Sequence, residues 1–244
     1  MRKIELEKIE SENGARRRRG KPGDWGADRA RPLARSFYAR SPIEVAKALL
    51  GMVLLRQEGG QTRAGRIVEV EAYLGAGDLA AHAASGITER NRVLFGPPGH
   101  AYVYFTYGMH YCMNVSCMPE DDAGSVLIRA LEPLTGIRAM AAARGCAGLL
   151  SSLKKKPNAS EFRRLASGPA MLCQALGITR TRDNGRDLTL PTSGIWIADD
   201  GNQAPESGIT ATCRIGIRKS AELPLRFFIK DNEFVSLKRI KAIG

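Results

Sequence analysis

The sequence predicts an α+β fold: a single domain with a curved, mostly antiparallel β-sheet and surrounding helices. Three observations carry this. Runs rich in Val, Ile, Thr and Tyr are divided by glycine turns, two stretches keep apolar residues at helical spacing, and the strand-like runs cluster instead of alternating with helices. A doubly wound α/β sheet, which needs that alternation, is the alternative.

Residues 1–31 combine mixed charge, glycine and the run Arg16-Arg17-Arg18-Arg19 with little apolar periodicity, so a disordered basic leader is expected there, followed by one domain over 32–244. The arginine run reads either as a solvated tail or as an arm that adds phosphate contacts, or as a localisation signal in a eukaryote. The first helix is predicted at Ser41-Pro42-Ile43-Glu44, where Ser41 can cap, Pro42 suits the first helical position and Glu44 completes a capping box; Gly51 ends it. Met52 to Leu55 and Arg63 to Tyr73, divided by Gly59-Gly60, predict a hairpin. Further strands are expected near His100 to Tyr107, Tyr111 to Cys117 and Ser125 to Leu131. Glu132-Pro133 is expected to open a helix carrying Leu134, Ile137, Met140 and Ala141, stopped by Gly145. Residues 145–162 read as a variable connection, Pro169 to Leu176 as a short helix, and Ile195 to Leu237 as strand-like segments between polar turns.

A net charge of +12 points to a polyanionic partner, and only +4 of it falls in residues 1–31, so the folded part is itself basic. The five cysteines show no paired ligand spacing and read as reduced structural thiols. The amino terminus alternates charges in place of an apolar signal core, and no apolar run approaches the ~20 residues that span a bilayer, so no membrane partner is expected.

In the strand ending Glu69-Val70-Glu71-Ala72-Tyr73, alternation places Glu69, Glu71 and Tyr73 on one face. Such a face is either a solvent-facing edge or the seat of a general base that strips a proton from water. Four of the six tyrosines fall between Tyr102 and Tyr111, which suits either an aromatic core or stacking on nucleic-acid bases. His82 sits in a loop-like stretch as a polar contact or a metal ligand, although no Cys/His spacing supports a metal. Arg90, Arg92, Arg129, Arg214, Arg218 and Lys219 are individually ordinary surface charges that together can line a phosphate-contacting face.

These motifs accumulate in order: Ile67 to Gly75, Ala81-His82, Arg90-Asn91-Arg92, Tyr102-Val103-Tyr104, Tyr107-Gly108-Met109, Cys112 to Ser116, Leu127 to Pro133, Ser167-Gly168-Pro169 and Leu172 to Leu176. Over roughly Pro32 to Val235 the chain resembles the alkyladenine (3-methyladenine) DNA glycosylase family. The resemblance implies hydrolysis of the N-glycosidic bond of damaged purines in double-stranded DNA (3-methyladenine, 7-methylguanine, hypoxanthine, ethenoadenine), with no metal, no cofactor and no lyase step. It implies Glu71 as the catalytic base and Arg129, also in the catalytic set, as a contact near the active-site water and the DNA backbone. Tyr73, His82 and Tyr104 would stack on or bond to the extruded base, and Asn114 would disfavour guanine. Tyr107 would fill the space of the flipped nucleotide, with Met109, Arg90 and Arg92 as further DNA contacts. A monomer is expected, cytoplasmic and nucleoid-associated in a bacterium or nuclear in a eukaryote. One departure is Met171, where relatives commonly carry lysine. The competing expectations are a non-catalytic damaged-DNA binder on the same fold and a small-molecule transferase. The transferase lacks a phosphate-cradling glycine loop.

Overall fold

The computed structural model describes residues 31–106, 108–146 and 159–236. Among these residues, nine strands occur in chain order: β1 (Arg31–Pro32), β2 (Val53–Glu58), β3 (Gln61–Tyr73), β4 (Ala101–Thr106), β5 (His110–Cys117), β6 (Gly124–Thr135), β7 (Ile195–Asp199), β8 (Ile209–Thr212) and β9 (Arg226–Ile229). Six helices accompany them: α1 (Arg35–Tyr38), α2 (Pro42–Leu49), α3 (Ile137–Ala143), α4 (Ala159–Ala166), α5 (Pro169–Leu176) and α6 (Arg180–Asp183). This is the expected α+β architecture.

The sheet runs β1-β7-β2-β3-β6-β5-β4, and its pairings are antiparallel. β3 organises it because its two halves have different neighbours. Its first half forms a hairpin with β2, and Glu69 to Glu71 pair with β9 instead, while β6 follows nearly its whole other side. Changing partners along one strand curls the sheet. The β2–β3 turn is the predicted Gly59-Gly60, whose φ values of 55° and 75° suit the left-handed turn that a twisted hairpin requires.

One face of this sheet is apolar and buried: Val70 and Ala72 of β3, Val126 and Ile128 of β6, Met113 and Val115 of β5, and Ala101 and Val103 of β4. The helices close it with Val45, Ala46 and Leu49 of α2, Met140 and Ala141 of α3, and Leu172, Leu176 and their neighbours of α5. α2 begins with the capping box between Ser41 and Glu44, as expected. α5 occupies the expected residues, with Gly168 as its N-cap and Gly177 as its left-handed C-cap.

The helix expected from Glu132 is corrected. β6 continues to Thr135 because Glu132, Pro133 and Thr135 still pair with Arg66, Gly65 and Ala64 of β3, with a register shift at the proline. The helix starts only at Ile137, after Gly136 at φ 72°, where a Cβ would lie 2.4 Å from the Thr62 carbonyl oxygen. Part of the expected variable connection is helix α4; residues 147–158 lie outside the described residues. So does the leader over 1–30, while Arg31 already pairs with Asp199 in β1. No helix of the described residues is long and apolar enough to cross a membrane.

Candidate active site

Side chains alternate across a strand, so the face opposite the core takes the other half of each strand. Those residues are Glu69, Glu71 and Tyr73 of β3, Ser125, Leu127 and Arg129 of β6, Cys112 and Asn114 of β5, and Tyr104 and Thr106 of β4. Register brings them level: Glu71 lies opposite Leu127, Asn114 opposite the same Leu127, and Tyr104 opposite Cys112. Apart from Glu69, all of them line one cavity of about 220 Å³, which His82, Pro169 and Ile215 also border. That is smaller than the roughly 300–1,000 Å³ of a site for a drug-sized ligand, and it suits a single small ring system.

Glu71 is fully buried at the foot of this cavity. Its Oε1 accepts the Ile215 backbone N–H at 2.7 Å and faces Arg129 Nη1 at 3.1 Å, and its Oε2 accepts the Tyr73 hydroxyl at 3.0 Å. Two hydrogen bonds and one ion-pair contact hold the carboxylate and leave an acceptor position open on Oε2. Burial above all, then the neighbouring Glu71 charge, pushes the Tyr73 phenol well above the ordinary tyrosine range, so it stays protonated and can donate.

Arg129 and Arg214 are both buried, so neither is the ordinary surface charge that residue type alone suggests. Arg129 sits where the β3–β6 register shifts between Ile67 and Val70, an irregularity that turns its side chain between Glu69 and Glu71. Its Nε donates to Glu69 Oε1 at 2.9 Å. Burial opposes its charge, but Glu71 and then Glu69 outweigh that and hold it protonated. Arg214 pairs with the buried Asp78 (Nη2 to Oδ1, 2.8 Å), donates to the Ala72 carbonyl at 3.0 Å, and covers the Tyr73 ring at 4.6 Å. Neither arginine is available for the phosphate-contacting role considered for them, because isolating a buried carboxylate is far more unfavourable than leaving a surface charge solvated.

The polar face stays out of water because loops cover it. In the loop after β3, Asp78 accepts the N–H groups of Leu74 and Ala80 at 3.2 and 3.1 Å. Asn91 closes its other end, donating to the carbonyls of His82 and Gly86 at 2.8 and 2.9 Å and accepting Thr88 N–H at 2.6 Å. These anchors set His82 at the cavity wall, with Nδ1 2.9 Å from the Tyr102 hydroxyl and its ring edge-on to Tyr104 at 4.5 Å. Burial, then the charge of Arg90, lowers the His82 pKa, so the imidazole is neutral at pH 7. Asn114 donates to Ser125 Oγ at 2.9 Å, leaving its buried Oδ1 without a partner.

The structure thus brings together Glu71, Tyr73, His82, Tyr104, Asn114 and Arg129 from the expected set. The DNA-contacting candidates lie elsewhere. Met109 is exposed at the β4–β5 turn, Arg90 approaches the Tyr104 ring at 5.8 Å, and Arg92 is exposed and paired with Glu89. Tyr107 lies outside the described residues. Sequence reasoning gave no role to Asp78, Asn91, Ser125 or Ile215. Only folding reveals the Asp78–Arg214 pair, 136 residues apart. Two of the four carried a local signal: Asp78 as an Asx residue that accepts Ala80 N–H two positions on, and Asn91 in a reciprocal side-chain-to-backbone pair with Thr88. Among the described residues, no group of three His, Cys, Asp or Glu side chains is placed to hold a metal ion, and all five cysteines are free thiols.

Comparison with known proteins identifies relatives over most of the chain. A protein of Koribacter versatilis (strain Ellin345) named "Putative 3-methyladenine DNA glycosylase" is 54% identical over 208 residues, 85% of this chain and 94% of its own. Proteins of the same name from Burkholderia lata and Methanoculleus marisnigri are 48% and 47% identical over 204 residues, covering 84% of this chain and 90% and 98% of theirs. The methylpurine-DNA glycosylase profile matches residues 36–233, and the chain belongs to that family of DNA-repair enzymes.

Proposed function

We propose that this protein excises damaged purines from duplex DNA by hydrolysing the N-glycosidic bond, with Glu71 as the general base. The observation that carries the reading is a fully buried carboxylate, held by two hydrogen bonds and an ion pair, that lines a cavity walled by Tyr73, His82 and Tyr104.

A purine within a duplex hides its glycosidic carbon and must be turned out of the stack at a few kcal/mol of lost pairing and stacking. Tyr107 fills the gap it leaves, and Met109, Arg90 and Arg92 contact the DNA. The extruded base stacks against the aromatic walls, which favour the cationic rings of 3-methyladenine and 7-methylguanine. Water held on the open position of Glu71 Oε2 then attacks C1′. Its oxygen bonds to C1′, the bond from C1′ to the base nitrogen breaks, and Glu71 takes one water proton. The base departs with the bonding electrons. Alkylated purines leave neutral, while hypoxanthine and ethenoadenine need a proton as they depart. Glu71 also stabilises the positive charge that develops on the sugar, and Arg129 keeps the carboxylate in position. No lysine borders the cavity among the described residues, which supports a monofunctional enzyme that leaves an abasic site without cutting the strand. The protein acts as a monomer on DNA.

The test is incubation with duplexes carrying 3-methyladenine or hypoxanthine, scored for free base and for alkali-labile sites. Wild type should release base and leave intact strands before alkali treatment, and Glu71→Gln should bind the lesion duplex without releasing base. Comparable turnover by Glu71→Gln would exclude it as the base. Lesion binding by wild type without any base release would favour a non-catalytic damage binder. Tyr107→Ser should excise poorly from duplex DNA and recover on single strands.

A further inference from the structure

Glu69 lies two residues before Glu71 on the same face of β3, and the chemistry above does not use it. Its side chain is fully buried, yet four donors converge on it. Oε1 receives Arg129 Nε at 2.9 Å, Arg226 Nε at 2.8 Å and the Ser236 hydroxyl at 3.0 Å, and Oε2 receives the Ser236 backbone N–H at 2.6 Å. Ser236 is itself held, since Arg163 Nη2 donates to the Val235 carbonyl at 2.9 Å. Two carboxylates and two guanidinium groups therefore meet in one buried cluster, tied at one end to Ser236 and at the other to the cavity.

A guanidinium is a rigid planar fork, so fixing one nitrogen dictates where the others point. With Nε bound to Glu69, Arg129 reaches Glu71 through Nη1, at 3.1 Å from Oε1. Without the Glu69 charge Arg129 loses the carboxylate that holds its Nε and is drawn onto Glu71, the other carboxylate it contacts. A closer grip on that carboxylate covers its remaining acceptor position and makes it a poorer acceptor for a water proton. We propose that Glu69 is a positioning residue for base release: it confines Arg129 to a single contact with Glu71, and Arg226 and Ser236 hold Glu69 for that purpose. The proposal rests on Glu71 being the base.

The experiment is a double-mutant cycle on single-turnover base release from a hypoxanthine duplex, with lesion-duplex affinity measured in parallel. Glu69→Gln should slow release by a factor on the order of 10 to 100, as expected when catalytic geometry is disturbed from a distance. Lesion affinity should stay within about three-fold, since uniform binding is untouched. In an Arg129→Gln background the same substitution should slow release by less than about two-fold, because the group through which Glu69 acts is gone. If Glu69→Gln does not fold, Ser236→Ala removes one hydrogen bond and no charge. It should slow release by about two- to five-fold, the worth of one such bond, and only when Arg129 is present. Equal slowing in both backgrounds, or loss of affinity matching loss of rate, overturns the proposal and leaves Glu71 as the base. Wild-type turnover by Glu71→Gln overturns the reading beneath it, and the proposal with it.

Discussion

The two faces of the β3–β6–β5–β4 sheet are both largely buried and chemically opposite. On one, Val70, Ile128, Met113 and Val103 are fully buried against helices. On the other, Glu69 and Glu71 are just as fully buried, and Asn114 and Arg129 nearly so. Burial therefore does not distinguish the core from the site; the means of satisfying each side chain does. The apolar face is stabilised by removal from water, at about 1.5–3 kcal/mol per large side chain. The polar face has no such gain and stays folded because each charge has a fixed opposite partner, supplied by Arg129 of β6, by Arg226 of β9, and by Arg214 for Asp78 in the loop after β3. That leaves an arrangement sensitive to the loss of any one partner, which is the condition a catalytic carboxylate needs if its orientation is to be held without solvent.

Substitutions on the two faces should separate stability from chemistry. The largest effect is expected at Glu71: Glu71→Gln should lower base release by about 10³-fold or more, as removal of a general base does, while keeping lesion binding. Met113→Ala, two strands away on the opposite face, should do the reverse. It should lower unfolding free energy by about 2–5 kcal/mol in denaturant titration while the folded fraction keeps its rate. Equal rate loss in both variants would break the division of labour. Next is Arg214→Met, which isolates the buried carboxylate of Asp78. Stability should fall by about 3–5 kcal/mol, and activity should fall as well because the same loop carries His82.

Acid should also separate the faces. Burial works against the charges of Glu69 and Asp78, but Arg129 and Arg226 for the first, and Arg214 with the backbone N–H groups for the second, outweigh it and hold both carboxyls below their usual range. Groups with depressed folded-state pKa contribute stability above the ordinary carboxylate range and lose it as pH falls through their folded values. The thermal midpoint should thus hold from neutral pH to about pH 5 and fall below about pH 4, and a folded Glu69→Gln variant should show a shallower fall. The smallest effect is expected at Met171, on the first turn of α5 and more than a third exposed. Met171→Lys should change stability by less than about 0.5 kcal/mol. If α5 faces the phosphates, it should steepen the dependence of DNA binding on log salt by about one.

Much of this was legible in the sequence where local rules act alone. The capping box at Ser41 and Glu44, the Gly59-Gly60 hairpin and the α5 helix follow from backbone preferences that need no distant partner. Alternation also placed Glu69, Glu71 and Tyr73 on one face without the rest of the molecule. The misplaced helix start at Glu132 shows where local rules stop, since pairing with β3 prolonged the strand through a proline that by itself suggests a helix.

The sequence by itself determined that Glu71 and Tyr73 share a face, that the folded part is basic, and through its motifs which family the chain belongs to; periodicity and charge are properties of the chain alone. Only the tertiary structure decided that this face is buried instead of solvent-facing. It also decided that Arg129 and Arg214 are internal partners, and that Glu69 is bound through Arg129 to the carboxylate beside it. The physical reason is that the free energy of a charge depends on what surrounds it, and for these residues the surroundings come from segments 60 to 167 positions away.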